Sequence, residues 1–298
     1  MQSAMAIANG ILSKGPRRVC ADLGLSTDNL PSKVDCPKYC SGLLDAQIST
    51  ITDGGSRRWE ANAAFWKFVQ QSVSRFGPLR VLHPFCGPGA VARHMAADIE
   101  AYLGIDRCPN IVEYARKATA RPEFKFECAD VLLEETLSNR QNYSLALLDY
   151  EVLNGMSISQ GTKLIERLAG CLSAHGFIAG DIALAADFLE TTRSMTIHHS
   201  GSWLAPQPHI EICEIAAMNC EGLVTERTVL IEMQEGKVIG NYQESFWPLT
   251  KECLYGVLGS CGFRLVEASN PFAQLSLDPM RLRNNIAFCA KFEGMAYA

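Results

Sequence analysis

The stretch VLHPFCGPGAVARHM, residues 81–95, decides the fold that the sequence predicts. It begins with a short apolar run typical of a buried strand and ends in a pattern typical of a helix. Gly87-Pro88-Gly89 joins the two, because glycine permits the tight backbone turn that such a junction needs. A strand, a glycine turn and a helix in this order indicate one unit of a parallel sheet covered by helices.

Alternating strand and helix patterns continue on both sides of this unit. An amphipathic helix is predicted over residues 56–76, ahead of the first strand, and another over 90–102, after the glycine turn. Further strand patterns occupy residues 102–106, 124–130, 143–150, 177–184, 263–269 and 284–292. Helical patterns separate most of them, including one over 160–176. The sequence therefore predicts an α/β protein with a Rossmann-like parallel sheet and helices on both faces.

Two sections depart from this alternation. Residues 1–55 combine a weak helical pattern with turn signals, and after residue 193 three strand patterns follow one another with turns at 220–222 and 235–236. The second section predicts an antiparallel meander. We expect an N-terminal helical arm or lid over 1–55, a Rossmann-like core over 56–193, an antiparallel insertion over 194–247 and the end of the core over 248–298.

Composition narrows the function classes. The 298-residue chain carries a formal net charge of −5, which gives no general attraction to phosphate backbones or anionic membranes. Its apolar runs are interrupted by charges and glycines, and its start lacks the features of a secretory signal. Twelve scattered cysteines in such a chain indicate reduced thiols. We expect a soluble, cytoplasmic protein with no membrane partner, and nucleic acid is disfavoured.

An acidic residue follows the glycine turn at the spacing found in nucleotide-binding proteins. Asp106 ends the second strand pattern 19 residues after Gly87, where a carboxylate can accept both hydroxyls of an adenosine ribose. Gly87, Gly89 and Ala92 also match the G-x-G-x-x-A fingerprint of dinucleotide-binding proteins. An NAD(P)-dependent oxidoreductase therefore stays open as an alternative.

Five segments in order resemble the class I S-adenosylmethionine-dependent methyltransferases. They are VLHPFCGPG (81–89), YLGIDRCPNIVEYARK (102–117), FKFECADVL (124–132), YSLALLDYEVLN (143–154) and LIERLAGCLSAHGFIAGDI (164–182). The resemblance implies S-adenosylmethionine as cofactor and a closing pair of strands that includes an antiparallel last strand. It also implies that the 194–247 insertion faces the methyl acceptor, as in small-molecule N- and O-methyltransferases.

The resemblance also implies which residues contact the cofactor. Gly87 and Gly89 would face its methionine portion, Asp106 its ribose, Asp130 with Val131 its adenine, and Tyr150 and neighbouring residues its sulfonium, with Arg107 as a further cofactor contact. His83 and Phe85 occupy the positions where the family usually has an acid and its first glycine.

His83 is the departure with the largest consequence. The family's acid helps to hold the ammonium group of the cofactor, and a neutral imidazole can still accept one hydrogen bond. A packed residue at the end of a strand is the other interpretation of His83. Because of this departure, a module that binds the cofactor without catalysis is a second alternative.

Comparison with methyltransferases that act on nucleic acids favours a small-molecule acceptor. PFCGPG, residues 84–89, is similar to the DPFCGSG loop of methyltransferases that modify adenine in nucleic acids. The Asp/Asn-Pro-Pro-aromatic signature of those enzymes is absent after the fourth strand pattern, where Leu148-Asp149-Tyr150-Glu151 stands instead.

A hydroxyl or ammonium acceptor must lose a proton, so we expect a base in the insertion. His199, His209 and Tyr242 are the predicted catalytic residues, and His198 and Glu211 are further candidates. His209 and Glu211 share one face of a strand, so with His198 or His199 they would imitate a two-histidine, one-carboxylate metal site. The spacing does not distinguish this from chance, and no metal is expected. The sequence thus predicts transfer of a methyl group to oxygen or nitrogen of a small metabolite.

Overall fold

The computed structural model describes residues 2–14, 57–73, 78–94, 99–119, 121–200, 205, 207–273 and 285–294. These residues divide into two compact units. The larger unit lies within 50–184 and 248–298, and the smaller within 1–49 and 185–247. Of the predicted N-terminal arm, only helix α1, Gln2–Lys14, is described, and it belongs to the smaller unit.

The larger unit contains a seven-stranded sheet. Its strands are β1 Leu79–Pro84, β2 Ile99–Asp106, β3 Phe124–Cys128, β4 Tyr143–Leu148, β5 Leu172–Ile182, β10 Phe263–Ser269 and β11 Ile286–Phe292. They are ordered β10-β11-β5-β4-β1-β2-β3. Strand β11 runs antiparallel to both of its neighbours, and the other described pairs are parallel. This arrangement confirms the predicted sheet with its antiparallel last strand.

Helices cover both faces of this sheet. They are α2 Arg57–Val73, α3 Ala90–His94, α4 Pro109–Ala118, α5 Glu134–Leu137, α6 Ile158–Cys171 and α7 Lys251–Ser260, with a 3-10 turn at Val152–Gly155. One core packs Phe65 and Val69 of α2 against Val81 of β1, and the other packs Leu164 of α6 against Leu82 of β1. Successive residues of a central strand thus contribute to opposite cores, which a sheet buried on both faces requires.

Local signals in the sequence explain most helix ends. Pro109 occupies the first turn of α4, where its missing N–H costs nothing. Ser157 and Gln160 form a reciprocal capping box at the start of α6. Gly262, with φ of 81°, follows the end of α7, where glycine commonly adopts this left-handed conformation.

Two predicted helix ends are wrong. Strand β2 begins at Ile99, which the sequence pattern places in a helix, and α6 ends at Cys171 rather than at Gly176. In both places the chain pairs with a neighbouring strand instead, Ile99 with Leu79 and Leu172 with Tyr143. Sheet pairing outweighs a local helical pattern there, because strand formation depends on tertiary neighbours.

The smaller unit contains a four-stranded antiparallel sheet. Its strands β6 Thr192–His198, β7 His209–Ile215, β8 Val224–Glu232 and β9 Val238–Phe246 follow one another in space as in sequence, after a 3-10 turn at Ala185–Phe188. The predicted meander has three strands, and β6 is the addition. Gly222 and Gly236 adopt positive φ in the predicted turns. Ala4 and Ala8 of α1 pack against Ile210 and Ile212 of β7. Among the described residues no helix is long and apolar enough to span a membrane.

Candidate functional site

Strained backbone marks one edge of the seven-stranded sheet. Strands β1 and β4 are parallel neighbours, so their carboxyl ends meet at the same edge. Phe85, just after β1, has φ of 59°, and Tyr150 and Glu151, just after β4, have φ of 65° and 54°. Residues other than glycine rarely adopt these backbone angles, and such outliers cluster at functional sites.

The glycine turn after β1 lies against Asp106. Gly87 and Gly89 have φ of 53° and 72°, as a tight turn requires. The N–H of Gly87 donates to Oδ2 of Asp106 at 3.1 Å, and the N–H of Cys108 donates to Oδ1 at 2.9 Å. Burial raises the pKa of Asp106, and these two hydrogen bonds oppose the rise. The half-buried carboxylate keeps further lone pairs for a ligand hydroxyl.

His83 is buried completely within a three-residue chain of side chains. Its Nδ1 lies 2.7 Å from the hydroxyl of Tyr102, and its Nε2 lies 2.7 Å from Oδ1 of Asp149. Burial raises the pKa of Tyr102 well above its usual value, with Cys86 and Asp149 adding to the rise, so its hydroxyl keeps a proton to donate. In the neutral Nε2–H tautomer, His83 accepts from Tyr102 and donates to Asp149.

Beside Asp149 the structure has an acidic recess that is partly open to solvent. Its lining residues are Ala61, Asn62, Phe65, Asp149, Tyr150, Glu151, Asp181 and Phe272. Two aromatic rings from α2 and from the chain after β10 supply apolar walls. Three carboxyl groups supply the polar part, so the recess is suited to a ligand that is partly apolar and carries positive charge.

The other two carboxyl groups of the recess, those of Asp181 and Glu151, also have defined hydrogen-bond partners. Oδ1 of Asp181 accepts the N–H of Glu151 at 3.4 Å, and Oε1 of Glu151 accepts from the amide of the buried Asn285 at 2.6 Å. Burial raises the pKa of Asp181 well above its usual value, and the nearby charges of Glu151 and Asp149 raise it further. A bound cation would therefore relieve an unfavourable charge at Asp181.

The remaining predicted cofactor residues follow the carboxyl ends of β1, β2 and β3. Asp130, after β3, accepts the N–H of Leu132 at 2.8 Å in a turn, and Val131 is buried. Arg107 is exposed next to Asp106. The half-buried ring of Phe85 packs against the core that contains Leu82.

The predicted catalytic residues belong to the smaller unit. His209 and Tyr242 are buried on its sheet, and Tyr242 packs against Leu230 and Ala205. His199 is exposed in the turn after β6. The residue before it, His198, pairs with His209 across β6 and β7.

A scan against models of protein families finds no match for this chain, and a search of curated proteins finds none either. Solved structures do match. An S-adenosylmethionine-dependent methyltransferase from Clostridium acetobutylicum superimposes with a TM-score of 0.62 at 11% identity, covering 83% of this chain and 96% of the other. CalS10, an amino pentose methyltransferase from Micromonospora echinaspora with S-adenosylmethionine bound, gives 0.61 at 12%, covering 82% and 95%.

A third structure agrees with these two. The sugar N-methyltransferase KedS8 from a Streptoalloteichus species gives a TM-score of 0.57 at 11% identity, covering 83% of this chain and 92% of the other. What this chain shares with them is the fold. The chain has the class I methyltransferase fold over most of its length, and its own residues must carry any conclusion about activity.

Sequence reasoning missed Asn62, Tyr102, Asp181 and Asn285, and it included Asp149 and Glu151 only as neighbours of Tyr150, without a role of their own. One signal was available for Asp149. It lies near the end of the strand pattern 143–150, and an acid at that place can replace the one missing at position 83 if the two strands are neighbours.

Proposed function

We propose that the chain is an S-adenosylmethionine-dependent methyltransferase that acts on oxygen or nitrogen of a small metabolite. The acidic recess at the carboxyl ends of β4 and β5 carries this proposal. Asp149, Glu151 and Asp181 line it, and the glycine turn with Asp106 lies at the same sheet edge. An ammonium and a sulfonium on an adenosine would suit carboxylates at one end and a ribose-binding acid at the other.

Asp149 takes over the task of the acid that is missing at position 83. His83 has no exposed surface and both of its ring nitrogens have protein partners, so it is not assigned a direct contact with the cofactor. Instead, its Nε2 holds the carboxylate of Asp149 at the recess. In this proposal the Tyr102–His83–Asp149 chain positions the carboxylate that binds the ammonium group.

The remaining assignments in this proposal follow the resemblance to the methyltransferase family. Gly87 and Gly89 let the backbone approach the methionine portion, Asp106 with Arg107 binds the ribose, and Asp130 and Val131 bind the adenine. Tyr150 lies beside the reacting centre. When bound, S-adenosylmethionine supplies a methyl group on a positively charged leaving group, so the protein's part is to orient the acceptor and exclude water.

The acceptor proposal rests on the charge of the recess. Phe65 and Phe272 give it apolar walls, while its carboxyl groups favour an acceptor that carries an amine. Two of the structural neighbours are described as an amino pentose methyltransferase and a sugar N-methyltransferase, which agrees with this choice. His199, His209 and Tyr242 stay predictions as catalytic residues.

Titration calorimetry tests the cofactor. S-adenosylmethionine, S-adenosylhomocysteine, NAD and NADP are titrated into wild-type protein, Asp149→Asn, Asp106→Ala and the control Glu166→Gln. Glu166 is an exposed acid on α6, so its variant removes one charge away from the recess. We expect saturable binding of the two sulfur ligands alone, weakened at least about tenfold by Asp149→Asn because a charge-assisted bond is lost.

Each other outcome selects an alternative. Binding of a nicotinamide nucleotide alone would make the chain an oxidoreductase. Binding of the sulfur ligands without product from a panel of small amines and alcohols would favour a binding module. Equal binding by wild-type and Asp149→Asn protein would contradict the role given to the Tyr102–His83–Asp149 chain.

A further inference from the structure

Two histidines and one carboxylate converge on one face of the four-stranded sheet. Ile210 and Ile212 face α1, so His209 and Glu211, which alternate with them along β7, face the other side. His198 of β6 lies directly opposite His209 in the strand register. The two imidazole rings stack with centroids 4.7 Å apart, and Nε2 of His198 lies 2.9 Å from Oε2 of Glu211.

The ring of His209 is fixed by a backbone carbonyl. Its Nδ1 lies 2.8 Å from the carbonyl oxygen of Gln207, and because a carbonyl only accepts, Nδ1 must carry the proton. The lone pair of the neutral ring is then on Nε2. Metal-binding histidines usually have this arrangement, since a hydrogen bond from one nitrogen orients the other toward the ion.

We propose that His198, His209 and Glu211 form a binding site for a divalent first-row transition metal ion. The ligand atoms of the three side chains lie within 4.8 Å of one another. Two imidazoles and one carboxylate are the donor set of three-ligand zinc sites and of facial iron sites, both of which keep a coordination position open. The site goes beyond the proposed methyl transfer and does not depend on it.

The geometry needs only a small adjustment to hold Zn²⁺. Zinc binds nitrogen and oxygen ligands at about 2.0–2.2 Å, which places the ligands of one ion roughly 3–3.6 Å from each other. The His198–Glu211 pair, at 2.9 Å, is already close to this spacing. The widest separation must shorten by about 1 Å, which rotation of either side chain can supply because both are 24% exposed.

A simple pair between His198 and Glu211 accounts for only part of the cluster. It gives no reason for a third, fully buried group, His209, to be stacked on the pair with its ring fixed by Gln207. Coordination of one ion would engage all three side chains together, since their ligand atoms lie within 4.8 Å of one another.

Metal titration of the full-length protein tests the site. Protein is stripped with a chelator and titrated with Zn²⁺ by calorimetry, and Co²⁺ is added separately so that its absorption spectrum reports the ligand type. The variants are His198→Gln and Glu211→Gln. His199→Gln is the matched control, because it removes an exposed imidazole one residue away. Unfolding temperatures of the metal-free variants check that each is folded.

We expect one equivalent of Zn²⁺ in the wild-type and His199→Gln proteins. Affinity should fall at least about tenfold in His198→Gln and in Glu211→Gln, and Glu211→Asp should recover part of it. The Co²⁺ spectrum should lack a thiolate band, which matters because the described cysteines are free thiols. Absence of binding by the wild-type protein, or binding that survives both substitutions, would overturn the proposal.

Discussion

Nε2 of His83 lies 2.7 Å from Oδ1 of Asp149, although the two residues are 66 positions apart in the chain. The pairing of β1 with β4 brings them together at the carboxyl edge of the sheet. Both are buried, so the hydrogen bond between them satisfies polar atoms that solvent does not reach. Tyr102 completes the chain from β2, and three neighbouring strands therefore determine where one carboxylate is presented.

Removing the outer member of this chain should destabilise the protein. Tyr102→Phe deletes the hydroxyl that bonds Nδ1 of His83 and leaves that nitrogen buried without its partner. We expect the free energy of unfolding to fall by about 1–3 kcal/mol, measured by urea denaturation. Tyr255→Phe removes an exposed hydroxyl and should change it by less than about 0.5 kcal/mol. Equal stability of both variants would exclude a structural contribution from the Tyr102 hydroxyl.

The strain at Tyr150 can be measured with a pair of substitutions. Its φ of 65° penalises any side chain with a Cβ, so Tyr150→Gly should be more stable than Tyr150→Ala by about 1 kcal/mol. The same pair at Tyr255, in the middle of α7, should show the reverse order by a similar amount. Thermal unfolding of the four variants gives both differences. An alanine variant at 150 as stable as the glycine variant would contradict left-handed backbone there.

Much of the fold was predictable because its signals are local. β10 spans the residues expected from the alternation of FRLVEAS, and Gly222 and Gly236 form the predicted turns. Strand β6 was not predictable, since its pattern is mostly exposed and it is formed by pairing with β7. Ile99 shows the same limit, because its pairing with Leu79 decides its structure.

Some residues of the candidate site could also be predicted from local sequence, and others could not. Gly87, Gly89 and Asp106 are set by one strand-turn-helix unit and the next strand, so sequence spacing was enough to place them together. Asp149 and Asp181 become part of the site only through the order of β1, β4 and β5. Nothing local in the sequence shows that the histidine at 83 is bonded to an acid on another strand.

Asp106 provides a test of ligand recognition that is measured separately from stability. In Asp106→Asn, the remaining carbonyl oxygen can still accept one of the two backbone N–H groups, from Gly87 or Cys108. An amide binds two ribose hydroxyls less well than a carboxylate does, so affinity for adenosine and S-adenosylhomocysteine should fall about tenfold or more. Calorimetry measures the affinities, and the thermal midpoint checks the fold. Unchanged affinity would remove Asp106 from the ribose site.

Asp181 should make stability depend on pH. Its pKa is raised by burial and by the charges of Glu151 and Asp149, so the folded protein holds this proton more tightly than the unfolded chain. By linkage, this contribution to stability is fully present below the unfolded pKa, about 3.9, and is lost as the pH rises through the raised folded pKa. Asparagine does not ionise. The stability of Asp181→Asn relative to wild type should therefore increase as the pH rises from about 4 to 8.

Thermal midpoints of both proteins across this pH range measure the effect, with Glu166→Gln as the control for net charge. Asp181→Asn should also weaken binding of S-adenosylmethionine at pH 8, because the recess loses one of the carboxylates proposed to attract its positive charges. Gain of stability together with loss of affinity is the trade expected of a charge kept for function. A stability difference between variant and wild type that stays constant with pH would mean that Asp181 has the same pKa in the folded and unfolded protein. That result would contradict the raised pKa in the folded protein.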